Sequence, residues 1–167
     1  MPNLLLRGNT LGNISGILFD KDGTLSNSEK YLLYIAQLRI EEASRILLKR
    51  GIVKNKIAEI ISLLISCYGI NKNRVNPNGI IAIASKEKNL ISTATVITII
   101  GESWPFAYEL AHEIFSAVDI KIKNLSTKDK INRALLPGAL DMLIKLKNSG
   151  ISCAVISNDS KKGIKDF

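Results

Sequence analysis

The chain has 167 residues and a formal charge of +8, and 46% of it is hydrophobic against 23% charged, the balance of a globular protein and not of a disordered or fibrous one. Its apolar runs stop well short of the roughly 20 residues of a membrane span, and Met1 to Leu6 leads only to Arg7 with no small-residue cleavage site; neither a membrane helix nor a secretory signal is expected, and a cytoplasmic location follows. Net charge alone separates nucleic acid, acidic membrane and small anions poorly, but the basic residues are scattered, densest at Lys161, Lys162 and Lys165, and no aromatics interleave them, so neither nucleic acid nor membrane is expected as a partner.

Leu4 to Leu6, with Gly8, Asn9, Gly12 and Asn13 behind it, reads as a short added edge strand followed by turns. Ile14 to Phe19 is apolar and breaks abruptly into Asp20-Lys21-Asp22-Gly23-Thr24, the pattern of a buried first core strand running out into a functional loop. If strand geometry persists beyond Phe19, Asp20 and Asp22 share a face, because side chains two apart do. From Ser28 the period becomes helical through Leu32, Ala36, Ile40, Ala43 and Leu47, with Gly51 at the stop. Ile57, Ile60, Ile61, Leu64 and Ile65 repeat that spacing before Gly69, and Asn71, Asn73, Asn76, Pro77, Asn78 and Gly79 then form a turn-rich break.

Leu90 to Ile100 sets propensity against context. Ile91, Thr93, Thr95, Val96, Thr98, Ile99 and Ile100 are β-branched and favour a strand; the helical patterns on either side, and the want of an evident pairing strand, favour a helix, which is the expectation. Trp104 and Pro105 open the next helix, which runs through Ala107, Leu110, Ala111, Ile114 and Phe115 and carries His112, the only histidine, as a structural or surface residue without a chemical role. Lys128, Lys130 and Arg133 read as a solvated face. Leu136-Pro137-Gly138 introduces a helix from Ala139 to Asn148 that stops at Gly150, and Ile151 to Ile156 is a second buried strand ending in Ser157-Asn158-Asp159-Ser160. Cys67, in a helix, and Cys153, in that strand, are expected as buried thiols and not as a disulfide.

Both core strands thus deliver polar groups from their C-terminal ends, where open parallel sheets place ligands. The bare tetrapeptide Asp20-Lys21-Asp22-Gly23 is equally at home in a polar turn. The whole string Ile17-Leu18-Phe19-Asp20-Lys21-Asp22-Gly23-Thr24-Leu25, however, resembles the first motif of the haloacid dehalogenase superfamily phosphohydrolases at every defining position. Cys153-Ala154-Val155-Ile156-Ser157-Asn158, preceded by Leu136-Pro137-Gly138, a helix and Gly150, looks like the run into the second motif of that family. An insertion between the two motifs resembles the subgroup that includes phosphoglycolate phosphatase, β-phosphoglucomutase and phosphonatase.

The resemblance implies an α/β fold: residues 1–27 and 134–167 as a partial Rossmann-like core, of which two strands are identifiable, and residues 28–133 as an inserted all-helical cap. It implies Mg²⁺ as cofactor, held by Asp20 and by Asp22 through its backbone carbonyl, and a small phosphorylated metabolite as substrate. Asp20 is then the nucleophile that forms an aspartyl-phosphate and Asp22 the acid/base. Ser157, Asn158, Gly23 and Thr24 would bind the phosphoryl group, Gly23 and Thr24 by shaping and hydrogen-bonding a loop whose exposed backbone N–H groups help hold phosphate oxygens. Asp22 argues for phosphate-ester chemistry, since dehalogenases of the superfamily lack the second Asp and P-type ATPases have Thr there.

The match to the family pattern breaks off shortly after the second motif. The family's later lysine and acidic pair cannot be placed: Lys161, Lys162 and Lys165 follow Ser157 too closely, and Asp159 and Asp166 lack a preceding apolar strand. A fragment of a longer protein, whose partner would be its own missing C-terminal part, a split protein completed by a second chain, and a degenerate protein that kept a helical binding surface are the open readings, the first leading. A Mg²⁺-dependent phosphatase is the leading function, with a phosphosugar mutase and a non-catalytic binding module as alternatives, and the 167-residue chain alone is expected to be inactive or weakly active.

Overall fold

The computed structural model describes residues 2–125 and 134–157. The chain divides into two compact units, Met1–Ser28 with Arg133–Phe167, and Glu29–Asn132. Elements are β1 (Asn3–Leu6), β2 (Asn9–Asn13), β3 (Gly16–Asp20), α1 (Glu29–Lys49), α2 (Lys54–Tyr68), β4 (Ile70–Asn71), β5 (Arg74–Val75), α3 (Ile80–Ile83), α4 (Lys86–Ile99), α5 (Trp104–Lys123), α6 (Ala139–Asn148) and β6 (Ser152–Ile156). No helix among the described residues is long and apolar enough to cross a membrane.

In the first unit the anticipated edge strand is instead one arm of a hairpin. β1 pairs antiparallel with β2, Leu6 opposite Asn9, around Arg7 and Gly8, whose φ values of 51° and 85° are those of the two-residue turns that match strand twist. Local closure through two residues satisfies β1 without the longer path to the core sheet. β3 and β6 pair parallel in unbroken register from Gly16 opposite Ser152 to Asp20 opposite Ile156. Glycine at 16 lets the strands approach, since a Cβ there would stand 3.2 Å from the Ser152 carbonyl oxygen.

Burial of these strands departs from the expectation. Leu18 is 70% and Ile156 62% exposed, and Cys153, expected to be buried, is an exposed free thiol, while Cys67 is free and half-buried. Parallel strands are buried when further strands and helices cover both faces; among the described residues this sheet has two strands, and α6 is the helix packed against β6. α6 itself leaves Leu140 and Ile144 exposed.

The second unit is built from α1, α2, α4 and α5, which pack as α1 on α2 and α5 and α4 on α2 and α5. Their apolar stripes close on one core in which Ile46, Leu47, Ile60, Leu64, Ile97, Leu110 and Ile114 are fully buried. The turn-rich break between α2 and α4 holds more structure than its sequence signals: β4 and β5 form a minimal hairpin across Lys72 and Asn73, both at positive φ, and α3 follows. Gly69 ends α2 in the left-handed region, and a Cβ there would collide with Gly79 Cα at 2.9 Å, so this corner requires glycine twice over.

α4 is helical despite its β-branched run. Ser85 caps it, accepting from the Lys88 N–H at 3.3 Å, and the hydroxyls of Thr93, Thr95 and Thr98 donate to the carbonyls four residues back. That bonding removes the polar cost of burying threonine in a helix, and packing of Leu90, Ala94 and Ile97 into the core outweighs intrinsic propensity.

Candidate active site

β3 ends at Asp20, and the chain turns at once. The N–H groups of Leu25 and Ser26 both donate to the Lys21 carbonyl at 3.0 Å, and Gly23 N–H donates to the Ser26 carbonyl at 2.9 Å. Gly23 has φ 86°, open to glycine at little cost, and its N–H is used in closing the loop. Because the strand stops at Asp20, the period-two argument does not reach Asp22, and the two carboxylates have separate surroundings. Asp20 accepts a long hydrogen bond from Thr24 Oγ1, 3.4 Å from its Oδ2, and stays exposed.

Asp22 is held much more firmly. Lys21 Nζ lies 3.0 Å from its Oδ1 and 2.8 Å from its Oδ2, Ser28 Oγ donates to Oδ1, and Ser26 Oγ stands 3.4 Å from the same oxygen. The two serine hydroxyls are 2.7 Å apart. Each hydroxyl has one proton, so with Ser28 donating to the carboxylate, Ser26 donates to Ser28. Lys21, Ser26 and Ser28 are all buried. None of the three was singled out from the sequence; the available signal was a lysine between two aspartates, followed by serines four and six residues after Asp22.

The return segment is tied to the same loop. Asn27 N–H donates to the Ala134 carbonyl and Leu136 N–H to the Leu25 carbonyl, each at 2.8 Å, with Ser26 bridged antiparallel to Leu135. The parallel register sets Asp20 opposite Ile156, so Ser157, the next residue, leaves the sheet at the same C-terminal edge as Asp20. Asn158, Asp159, Lys161, Lys162, Lys165 and Asp166 lie outside the described residues, as do Lys128, Lys130 and Arg133. His112 sits on α5, edge-on to Tyr108 with ring centroids 4.7 Å apart.

The family model of haloacid dehalogenase-like hydrolases matches residues 14–166. The chain belongs to that family. The match begins two residues before β3, the strand that ends at Asp20, and takes in β3, β6 and the helical unit between them in the chain. No curated protein and no solved structure matches the chain.

Whether these residues suit Mg²⁺ turns on their donor chemistry. Mg²⁺ takes hard oxygen ligands, keeps several waters and is commonly bound through one or two carboxylates plus substrate phosphate. Asp20, an exposed carboxylate with one loose hydrogen bond, fits that demand. The Asp22 carboxylate is engaged by Lys21 and Ser28, which leaves its backbone carbonyl as the group it would offer. No group of three or more His, Cys, Asp or Glu side chains with metal-binding proximity occurs among the described residues.

Proposed function

We propose that this hydrolase is a Mg²⁺-dependent phosphatase acting on a small phosphorylated metabolite, with Asp20 as nucleophile and Asp22 as acid/base. The observation that carries the reading is the parallel register of β3 and β6, which brings Asp20 and Ser157 to one sheet edge, where ligands of open α/β sheets bind. Asp20 attacks phosphorus as the bond to the leaving oxygen breaks, and Asp22 protonates that oxygen. Asp22 then takes a proton from water, whose oxygen attacks the aspartyl-phosphate, releasing phosphate and restoring Asp20. Ser157 and Asn158 donate to the phosphoryl oxygens, and Thr24 steadies Asp20. Asp20 and the Asp22 carbonyl would hold Mg²⁺, whose charge would offset the repulsion between carboxylate and phosphoryl group.

The helical unit, residues 29–132, is the cap that excludes water from a small substrate. With so few protein ligands among the described residues Mg²⁺ would be retained weakly, so the 167-residue chain assayed alone is expected to be inactive or weakly active. The test is therefore capture of BeF₃⁻ with Mg²⁺, followed by ¹⁹F NMR, beside Mg²⁺-dependent hydrolysis of p-nitrophenyl phosphate. Asp20→Asn is expected to lose both signals, a fall in turnover of at least about 10³-fold for a removed nucleophile. Wild-type capture or turnover surviving in Asp20→Asn overturns the assignment.

A further inference from the structure

We infer that Lys21, with Ser28 and Ser26 behind it, is a positioning residue that fixes the Asp22 carboxylate so that Oδ1 is anchored and Oδ2 is the oxygen that exchanges the proton. The inference rests on the reading of Asp22 as acid/base and adds which atom acts and what holds it. Lys21 is fully buried, and an ammonium is taken out of water at a cost of several kcal/mol unless a partner compensates it. Asp22 is that kind of partner, 2.8 and 3.0 Å away through its two oxygens. Adjacent residues do not normally face each other; here they do because the loop folds back onto the Lys21 carbonyl through Leu25 and Ser26.

The contacts are unequal between the two carboxylate oxygens. Oδ1 receives Lys21 and Ser28, whose hydroxyl is in turn held by Ser26, which uses most of its acceptor capacity. Oδ2 receives Lys21 and keeps lone-pair directions for a leaving group or water, on a side chain 30% exposed. Lys21 and Ser28 converging on one carboxylate also stop it turning about its terminal torsion, which is otherwise broad and two-fold, and Ser26 holds the Ser28 hydroxyl in place. Catalytic proton transfer is sensitive to such geometry, and a misplacement near 1 Å costs about 10²-fold.

Two measurements on the full chain test this, comparing Lys21→Met, Ser28→Ala and the hydroxyl-retaining Ser28→Thr with wild type. The first follows the side-chain carboxylate ¹³C resonance of Asp22 in aspartate-labelled protein, assigned by its loss in Asp22→Asn. It is expected to move or broaden in Lys21→Met and Ser28→Ala and to return in Ser28→Thr, while the Asp20 resonance holds. The second is the ratio of kcat/KM for an alkyl phosphate to that for p-nitrophenyl phosphate, whose good leaving group needs little acid assistance; it is expected to fall about tenfold in Lys21→Met and Ser28→Ala. An Asp22 resonance and a leaving-group ratio unchanged from wild type in both variants overturn the inference. Lys21→Met removes a buried charge and risks unfolding the loop, and the Ser28 pair then decides alone. Because Asp20→Asn tests the phosphatase reading independently, loss of activity there with no effect at Lys21 and Ser28 defeats only the positioning role.

Discussion

The two units of this chain treat apolar side chains in opposite ways. In the helical unit Ile46, Ile60, Leu64, Leu110 and Ile114 are fully buried, whereas in the α/β unit Leu18, Leu140, Ile144 and Ile156 stand at least 48% exposed. The difference follows from what each element needs. A helix satisfies its backbone internally, so four amphipathic helices complete a core among themselves. A pair of parallel strands leaves two sheet edges and two faces to be covered by other elements, and where the described residues give little such cover its apolar side chains stay exposed.

Core truncation tests the contrast most sharply. Leu110→Ala is expected to destabilise the helical unit by about 2–5 kcal/mol, and Leu18→Ala, at a 70% exposed position, to change stability by no more than about 0.5 kcal/mol. Urea unfolding followed by circular dichroism reads both. Equal losses at the two sites would mean that β3 is buried in solution and would erase the distinction.

The helical unit also carries a pH signature, at Glu42. Burial raises the Glu42 carboxyl, but hydrogen bonds and charge attraction from Arg45 and Lys121 outweigh it and hold the group below its ordinary value; the contacts are 2.6 Å to Arg45 and 2.5 Å to Lys121. A carboxyl depressed in the folded state stabilises above its unfolded value, and that stability is lost as pH falls through the folded one. The urea midpoint of Glu42→Gln should therefore lie below wild type at neutral pH and converge with it on acidification below the usual glutamate range. A gap that persists at low pH would assign the effect to packing.

The smallest change is expected at Arg39, a buried charge in the helical core. Its guanidinium is buried against the Phe115 ring, 4.0 Å from the centroid, with Nε and Nη1 lacking a protein partner, and desolvation by burial lowers its pKa against the opposing attraction of Tyr68. A cation–π contact of up to about 2 kcal/mol is set against an incompletely bonded buried charge, whose replacement by an apolar side chain of like volume is often neutral or stabilising. Arg39→Met is expected to keep or raise the thermal midpoint. A large fall would show that the orphaned nitrogens have partners, such as ordered water, that matter to the fold.

Much of the chain was legible from its residues. Helical spacing located α1, α2, α5 and α6 close to their observed limits, because the period of apolar residues reports directly which side of a helix meets a core. The β-branched run in α4 was legible only through its neighbours, since threonine hydroxyls bonding to the helix backbone are invisible to a propensity scale. Asp20 and Ser157 were each marked by an apolar run breaking into polar residues. The turns at Gly8 and at Asn73 were legible, but the hairpins around them were not, because Asn9–Asn13, Ile70–Asn71 and Arg74–Val75 are too short or too polar to show a strand pattern of their own.

The sequence by itself determined the family motif, the order of its two strands and the helical character of what lies between, all of which are written in local pattern. Tertiary structure alone decided the parallel register that aligns Asp20 with Ile156, the exposure of Cys153, and the binding of Asp22 by Lys21 and Ser28. Those three depend on which distant or back-folded segments meet: a strand's partner, the cover over a sheet face, and a loop returning its N–H groups to the Lys21 carbonyl. Residue order fixes which groups are available, and only the folded backbone sets their distances and angles, on which hydrogen bonds depend steeply.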